Sequence, residues 1–224
     1  MPEGRLYIGT RRYSSWSWRG WLAVRLAGLD VEDVAVPLTG TGASPAVKAV
    51  SPSGFVPYLE HRGVKVWDSL AIAEYCAEQR PGLWPADPAA RAWARAMAAE
   101  MHAGFTALRQ AMPMSLFRHR PGFGHTEAAL ADVARIEGLW RETRARFAGA
   151  GPYLFGAELT LADAFYVPVV ARFLSYEPPL SREARDYVAA IRAHPLVEAW
   201  YEAARTEPPE WRLAKYEDVE SGAG

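Results

Sequence analysis

Ser14, Ser15 and Ser17 crowd the start of a predicted helix near the beginning of the chain. The main-chain amides at a helix start have no partner within the helix, and the helix dipole adds a positive potential there. Hydroxyl groups beside those amides can donate hydrogen bonds to a bound anion. Serine before a helix is also an ordinary N-cap, so this segment alone leaves both roles open.

Two further motifs lie where predicted elements meet. Val56 and Pro57 enter a predicted strand, a position where proline is common. Asp68 and Ser69 come directly before another predicted helix, where an acid and a hydroxyl frequently cap the first amides. Because all three motifs border one small predicted sheet, we expect them to converge on a single end of it.

The elements that position these motifs alternate in type over the first 80 residues, in the order βαβαββα. The first helix is predicted to stop at Gly28, a good left-handed cap. The other predicted elements are strands at residues 6–8, 31–38, 56–59 and 64–67 and helices at residues 45–50 and 69–79. This order predicts a small mixed sheet with a parallel pair, an antiparallel edge and helices on both faces.

Composition changes near residue 85. Alanine, the best helix former, occurs 10 times in residues 1–88 and 30 times in residues 89–224. Three prolines and a glycine between Arg80 and Pro88 block helix and strand. We therefore predict an α/β domain over residues 1–80, a linker over residues 81–88 and an all-α domain over residues 89–224.

Apolar residues in the second half recur every three or four positions, which is typical of helices. One such stripe predicts a long helix through Trp93, Met97, Met101, Phe105, Leu108 and Met112. Thr160 and Asp163 match a capping box that opens a helix, residues 161–173, with apolar residues nearly all round. We expect that helix to be the buried centre of the bundle, with Pro168 kinking it.

Taken together, the motifs resemble the cytosolic glutathione transferase family over roughly residues 5–210. The resemblance is carried by the serine turn, the Val-Pro pair, the acidic residue and serine before LeuAlaIle, the proline-rich linker and the ThrLeuAlaAsp box. The serine motif is most similar to the zeta class, which includes maleylacetoacetate isomerase. Two departures are that Trp16 stands where the zeta pattern has cysteine and that residues 6–14 are about two residues longer.

The resemblance implies an α/β thioredoxin-like N-terminal domain that binds glutathione and an all-α C-terminal helical bundle that supplies most of an electrophile pocket. It implies a cytoplasmic, homodimeric glutathione S-transferase of detoxification type, with glutathione as co-substrate and a small hydrophobic electrophile as the second substrate. The alternatives are a glutathione-dependent isomerase of the maleylacetoacetate type and a non-catalytic interaction protein with the same fold.

By similarity, the hydroxyl of Ser14 or Ser15 donates to the glutathione sulfur, and Asp68 and Ser69 hold the γ-glutamyl end. Val56 would pair its main chain with the tripeptide, ahead of a cis Pro57. The residues assigned to glutathione are Ser14, Ser15, Trp16, Ser17, Phe55, Val56, Pro57, Asp68 and Ser69.

The sequence lacks the lysine or glutamine often seen near Phe55 in the family, so the partner of the glycyl carboxylate is unassigned, and Arg11 or Arg12 could serve. The electrophile pocket should be apolar and aromatic. Its assigned residues are Met101, Phe105, Leu108, Met112, Tyr166 and Arg172. Arg172, on an apolar helix, could bind an acidic substrate or form an ion pair.

Overall composition argues against several other functions. Lys plus Arg is 25 and Asp plus Glu is 26, so the chain lacks the basic field that attracts nucleic acid. One cysteine, Cys76, excludes an internal disulfide, a cysteine metal cluster and a CxxC redox pair. The sequence has no GxSxG elbow, which argues against a serine hydrolase. The N-terminus lacks a signal-peptide core and no stretch is apolar enough for the membrane, so we expect a cytoplasmic protein without metal.

Overall fold

A four-stranded mixed sheet forms the centre of the N-terminal half in the computed structural model, which describes residues 1–40 and 44–217. Its strands are β1 (Gly4–Gly9), β2 (Glu32–Val36), β3 (Tyr58–His61) and β4 (Val64–Trp67), in the spatial order β2-β1-β3-β4. β1 is parallel to β2 and antiparallel to β3, and β3 is antiparallel to β4. The small mixed sheet predicted from the alternating pattern is therefore confirmed.

Three helices accompany the sheet: α1 (Ser15–Ala27), α2 (Pro45–Val50) and α3 (Ser69–Gln79). α1 ends where predicted, at Gly28, whose φ of 70° is a left-handed conformation that glycine adopts without strain. Gly20 lies where α1 passes closest to the loop before β3. A Cβ atom there would lie 2.7 Å from Cγ of Pro57, so only glycine allows this approach.

The C-terminal part of the chain returns to this sheet. α9 (Pro195–Arg205) is followed by a 3₁₀ turn (Pro209–Trp211) and α10 (Ala214–Glu217). Trp200 stacks on Trp18 of α1 with ring centres 5.5 Å apart, and its ring centre lies 5.3 Å from that of Trp21. This aromatic cluster ties α9 to α1.

The chain divides into two compact units, and their boundaries differ from the sequence-based domains. One unit comprises Met1–Pro81 with the described residues from Ala199 onward, and the other is Gly82–Glu198. The prediction put residues 89–224 in one helical domain, of which residues 218–224 lie outside the described part. The difference arises because contacts between distant aromatic residues leave no trace in local periodicity.

The second unit is helical: α4 (Pro88–Ala103), α5 (Thr106–Ala111), α6 (Glu127–Thr143) with a π-helical turn (Arg144–Ala148), α7 (Leu161–Tyr176) and α8 (Arg182–Arg192). The predicted single helix through Met112 is wrong, because α4 ends before Gly104. Phe105 has a φ of 58°, and a Cβ atom on Gly104 would lie 2.8 Å from the Glu100 carbonyl oxygen. Nε of Arg109 donates to the Gly104 carbonyl oxygen at 2.9 Å and helps to close the end of α4.

α7 is the buried central helix that its composition predicts. Every residue of α7 is buried except Leu174, which is 38% exposed. The capping box at its start is present: a carboxylate oxygen of Asp163 accepts from the Thr160 amide at 2.8 Å and from the Thr160 hydroxyl at 2.7 Å. Within the described residues, no helix is both long and apolar enough to cross a membrane.

Candidate active site

The strand register places the three motifs at one end of the sheet. Tyr7 of β1 is paired with Tyr58 of β3, and Tyr58 is paired with Trp67 of β4. The chain passes beyond this row toward the serines after β1, approaches it through Val56 and Pro57 before β3, and leaves it toward Asp68 and Ser69 after β4. The antiparallel pairing therefore brings together three motifs, the first and last of which, at Ser14 and Ser69, lie 55 positions apart in sequence.

Ser14 is the N-cap of α1, and its hydroxyl belongs to a small buried network. The Ser14 hydroxyl donates to Oγ of Ser17 at 2.7 Å and accepts from the Ser17 amide at 3.3 Å. Oγ of Ser17 also accepts from the Gly9 amide at 2.9 Å, which ties the end of β1 to the start of α1. Ser17 therefore binds both the end of β1 and the Ser14 hydroxyl, and it orients the Ser14 side chain.

Ser15, the first residue of α1, differs from Ser14 although both are 6% exposed. Over residues 1–40 and 44–217, the structure gives the Ser15 hydroxyl no hydrogen-bond partner. The hydroxyl of the preceding Tyr13 is engaged elsewhere, since it donates to Oε1 of Glu217 at 2.6 Å. A hydrogen-bond donor is therefore available at Ser15, at the positive end of the α1 dipole.

The loop before β3 presents main-chain groups. The peptide bond between Val56 and Pro57 is cis, as the resemblance implies. No hydrogen bond among the described residues uses the main-chain amide or carbonyl of Val56, so both can pair with the backbone of a bound peptide. The Phe55 side chain is 66% exposed, and its amide donates to Oγ of Ser53 at 3.3 Å.

Asp68 and Ser69 begin α3 in two different conditions. Asp68 has a φ of 75°, a conformation that L-residues rarely adopt, and its carboxylate accepts from the Leu70 amide at 2.8 Å. Ser69 is 1% exposed, and its hydroxyl oxygen is buried without a hydrogen-bond partner among the described residues. A buried polar group without a partner is costly, so this hydroxyl is suited to a polar ligand atom.

Comparison with known proteins decides the family. A family model described as glutathione S-transferase, N-terminal domain, matches residues 13–79, and one described as glutathione S-transferase, C-terminal domain, matches residues 91–203. The chain belongs to the glutathione S-transferase family.

Several relatives carry the name of an isomerase. A probable maleylacetoacetate isomerase of Caenorhabditis elegans is 32% identical over 194 residues, which cover 81% of this chain and 89% of the relative. The maleylacetoacetate isomerase of Rattus norvegicus is 30% identical over 187 residues, which cover 81% and 84%. The solved maleylacetoacetate isomerase of Anaeromyxobacter dehalogenans 2CP-1, with GSH bound in its active site, has 29% identity and a TM-score of 0.65 over 92% of this chain and 98% of that one.

These findings confirm the sequence-based prediction of a glutathione-dependent enzyme with this two-part fold and with glutathione as its co-substrate. The described residues contain no cluster of three or more histidine, cysteine or acidic side chains suited to a metal ion. The individual site residues and the domain boundaries stay predictions.

The two arginines considered for the glycyl carboxylate are directed to carboxylates of the chain itself. Arg11 lies 3.9 Å from Asp33 and 3.8 Å from Glu207, and Arg12 lies 3.7 Å from Glu217. Both side chains are largely buried, 14% and 11% exposed. The structure therefore favours internal ion pairs for them over a ligand role.

The residues assigned to the electrophile pocket are all buried within the helical unit, from 0% exposed for Leu108, Met112 and Tyr166 to 8% for Phe105. The Tyr166 hydroxyl donates to the Met97 carbonyl oxygen at 3.0 Å. Nε of Arg172 donates to the Met112 carbonyl oxygen at 2.9 Å. Such burial is typical of core packing, and an electrophile pocket formed by Met101, Phe105, Leu108, Met112, Tyr166 and Arg172 stays a prediction.

Sequence reasoning missed one residue beside the site, Glu207. Its carboxylate contacts the loop that leads to Ser14, yet it lies 196 positions beyond Arg11. No motif or periodicity surrounds it, because an acid that binds main-chain amides is recognised only from its position. Trp16, a predicted site residue, lies under the guanidinium of Arg19, whose carbon is 4.8 Å from the ring centre.

Proposed function

We propose that this protein binds glutathione at the end of the sheet where α1 and α3 begin, and activates its sulfur as a thiolate for addition to a small hydrophobic electrophile. The observation that carries the proposal is the paired row Tyr7, Tyr58 and Trp67, which gathers hydroxyl and main-chain groups at one place. The Ser69 hydroxyl, buried without a partner in the described chain, supports a ligand there.

The three motifs suit different parts of glutathione. The α-amino acid end of the γ-glutamyl group can bind Asp68 and Ser69, since it offers both an ammonium and a carboxylate. The peptide backbone can pair with Val56, whose main-chain amide and carbonyl make no hydrogen bond among the described residues. The cysteinyl sulfur then lies toward the start of α1, where the helix dipole favours negative charge.

The energetics suit a hydrogen-bond donor at the sulfur. A free thiol has a pKa of about 8.5, and lowering it by two units requires about 2.7 kcal/mol of preference for the thiolate. A hydrogen bond to a charged group supplies about 1.5 to 3 kcal/mol, and a helix N-terminus adds about 0.3 to 2 kcal/mol. The serine keeps its proton throughout, because a thiolate needs a donor rather than a base.

Two serine hydroxyls can supply this hydrogen bond, in different ways. The Ser15 hydroxyl has no partner among the described residues and can turn to the sulfur directly. The Ser14 hydroxyl must exchange its bond to Oγ of Ser17 for one to the sulfur. Alanine variants of each serine separate the two.

A second candidate reaction is the isomerisation named for the relatives of Caenorhabditis elegans and Rattus norvegicus. In such a reaction the thiolate would add to a carbon of a conjugated double bond, the resulting single bond would rotate, and the thiolate would leave. Glutathione is then regenerated, whereas in a transferase reaction the carbon–sulfur bond stays in the product. Both reactions need the same thiolate, so assays of product identity distinguish them.

We also propose that the protein is a homodimer that uses apolar surface on the sheet-containing unit. Phe55 is 66% exposed, Trp67 is 49% exposed and Val64 is 45% exposed, and large exposed apolar side chains favour association. Sedimentation analysis of the wild type and of a Phe55→Ser, Trp67→Ser double variant tests this proposal. If the wild type and the double variant are both dimers, the proposed interface is contradicted. The cytoplasmic location stays a prediction.

Isothermal titration calorimetry with glutathione tests the main proposal. We expect saturable binding of glutathione. In a separate assay, we expect turnover of a generic chloronitroaromatic electrophile. The ultraviolet absorbance of the thiolate, followed against pH in the complex, should give a thiol pKa below that of free glutathione. A protein that shows no heat of binding at millimolar glutathione contradicts the proposal.

A further inference from the structure

A four-residue loop, residues 10–13, connects β1 to Ser14. Within the loop, the amides of Tyr13 and Ser14 both donate to the Thr10 carbonyl oxygen, at 3.1 and 3.0 Å. This compact turn directly precedes the N-cap of α1, so its conformation sets where the serine hydroxyls lie. The amides of its central residues have no partner within the loop and bind elsewhere.

Glu207 accepts both of those amides. Its Oε1 accepts from the Arg11 amide at 2.6 Å, and its Oε2 accepts from the Arg12 amide at 3.4 Å. The Glu207 side chain is only 5% exposed. A largely buried carboxylate with one oxygen on each of two consecutive amides holds the backbone in a single arrangement, because hydrogen bonds to a charged group are strong.

The C-terminal segment of residues 200–217, which contains Glu207, also binds two other polar groups of the loop. Nε1 of Trp200 donates to the Arg11 carbonyl oxygen at 3.2 Å. The Tyr13 hydroxyl donates to Oε1 of Glu217 and accepts from the Leu213 amide at 3.2 Å. Residues 200–217 therefore contact three consecutive loop residues, and Glu207 is the one that binds two of their main-chain amides.

We propose that Glu207 is a positioning residue for the thiolate step, acting through the loop of residues 10–13 to place the hydroxyls of Ser14 and Ser15. This inference rests on the proposed function. Glu207 itself touches neither serine, and its role is to keep the loop from relaxing into conformations that move the N-cap of α1. Displacing a catalytic group by about 1 Å can lower a rate about a hundredfold.

Three variants of the full chain test the proposal. Glu207→Ala removes both acceptor oxygens, and Glu207→Gln keeps one neutral acceptor. Glu202→Ala is the matched control, because Glu202 is also a glutamate of this C-terminal region but its side chain is 63% exposed and pairs with Arg205. Thermal unfolding of each variant establishes that it is folded.

We expect Glu207→Ala to lower kcat about ten- to a hundredfold and to raise the thiol pKa of bound glutathione. Its KM for glutathione should change by less than about threefold, because Val56, Asp68 and Ser69 still bind the tripeptide. Glu207→Gln should give intermediate values, and Glu202→Ala should match the wild type. A merely structural role would not raise the thiol pKa of a folded variant.

The proposal is wrong if Glu207→Ala is folded and keeps the wild-type kcat and thiol pKa, or if only KM changes. Should Glu207→Ala not fold, Glu207→Gln decides in the same way, with wild-type values overturning the proposal. Amide hydrogen exchange over residues 10–15, measured without glutathione, should be faster in Glu207→Ala. Unchanged exchange refutes the loop contact itself, whereas failure of the wild type to bind glutathione refutes the proposed function.

Discussion

The starts of α3 and α7 carry the same kind of polar residues but present them differently. At α7, Asp163 is fully buried and its carboxylate accepts four hydrogen bonds, from the Thr160 amide and hydroxyl, the Leu154 amide and the Tyr187 hydroxyl. At α3, Asp68 caps one amide in a strained conformation, and the buried Ser69 hydroxyl has no partner in the described chain. An acid and a hydroxyl at a helix start are joined in one buried hydrogen-bond network at α7, whereas at α3 the Ser69 hydroxyl makes no hydrogen bond among the described residues.

The largest expected effect tests the α7 side of this comparison. Asp163→Ala leaves four donors without an acceptor in a fully buried position, so we expect the free energy of unfolding to fall by about 3 to 5 kcal/mol. Urea unfolding measures this loss. A loss below about 1 kcal/mol would show that water or neighbouring groups replace the carboxylate, contrary to the comparison.

Ser14→Ala and Ser15→Ala test whether the start of α1 contacts the sulfur of bound glutathione. The variant that removes the sulfur contact should raise the bound thiol pKa by about one unit and lower kcat at neutral pH about tenfold, since one unit corresponds to about 1.4 kcal/mol. Thiolate absorbance against pH and steady-state kinetics give both values.

Stability separates the two serines independently of activity. Ser14→Ala also removes the N-cap of α1 and should lower the free energy of unfolding by about 1 kcal/mol. Ser15→Ala should leave it unchanged, because the Ser15 hydroxyl makes no hydrogen bond within residues 1–40 and 44–217. If neither variant shifts the thiol titration, the sulfur does not lie at the start of α1.

Ser69→Ala tests the α3 side. We expect glutathione affinity to fall up to about tenfold, the value of one hydrogen bond of about 0.5 to 1.5 kcal/mol. The free energy of unfolding should not fall, because without ligand the Ser69 hydroxyl has no partner in the part of the chain that the structure describes. Calorimetry and urea unfolding measure the two effects, and a loss of stability with unchanged affinity would place Ser69 with the α7 kind.

The smallest effect concerns pH. Burial raises the pKa of Asp163, although its hydrogen bonds from Leu154, Thr160 and Tyr187 oppose the shift. A raised pKa means that the folded protein binds this proton more readily than the unfolded chain does. The contribution of Asp163 to the free energy of unfolding is therefore greatest below its unfolded pKa of about 3.9 and is lost as the pH rises through the folded pKa.

Urea unfolding of the wild type and of Asp163→Asn at several pH values isolates this contribution. The free energy of unfolding of the wild type minus that of the variant should decrease as the pH rises from the unfolded pKa of Asp163 through its folded pKa. The opposite slope would mean that the four hydrogen bonds outweigh burial.

Local patterns in the sequence predicted much of the fold. The N-cap at Ser14, the left-handed Gly28 and the box of Thr160 and Asp163 all depend on interactions within a few residues, and all are present. The break after α4 was missed because the apolar spacing continues through Phe105, although the helix does not. A buried apolar stripe indicates which face of a segment is buried, but it does not indicate whether the backbone continues as one helix.

The residue types of the candidate site were predictable from the sequence, but the hydrogen bonding of those residues was not. The residue types at Val56, Asp68 and Ser69 are visible in the sequence, whereas the lack of a described partner for the Ser69 hydroxyl depends on the surrounding packing. Glu207 and Trp200 could not be anticipated, since contacts across nearly 200 positions follow from the path of the folded chain.

The return of α9 to α1 has a consequence for biosynthesis. The α/β half of the chain leaves the ribosome first, but Trp200 and Glu207, which close its aromatic cluster and hold its first loop, are made more than a hundred residues later. The candidate site at the end of this sheet is therefore completed after the helical unit has been translated. A nascent chain released early would carry the serines without the groups that contact the loop before them.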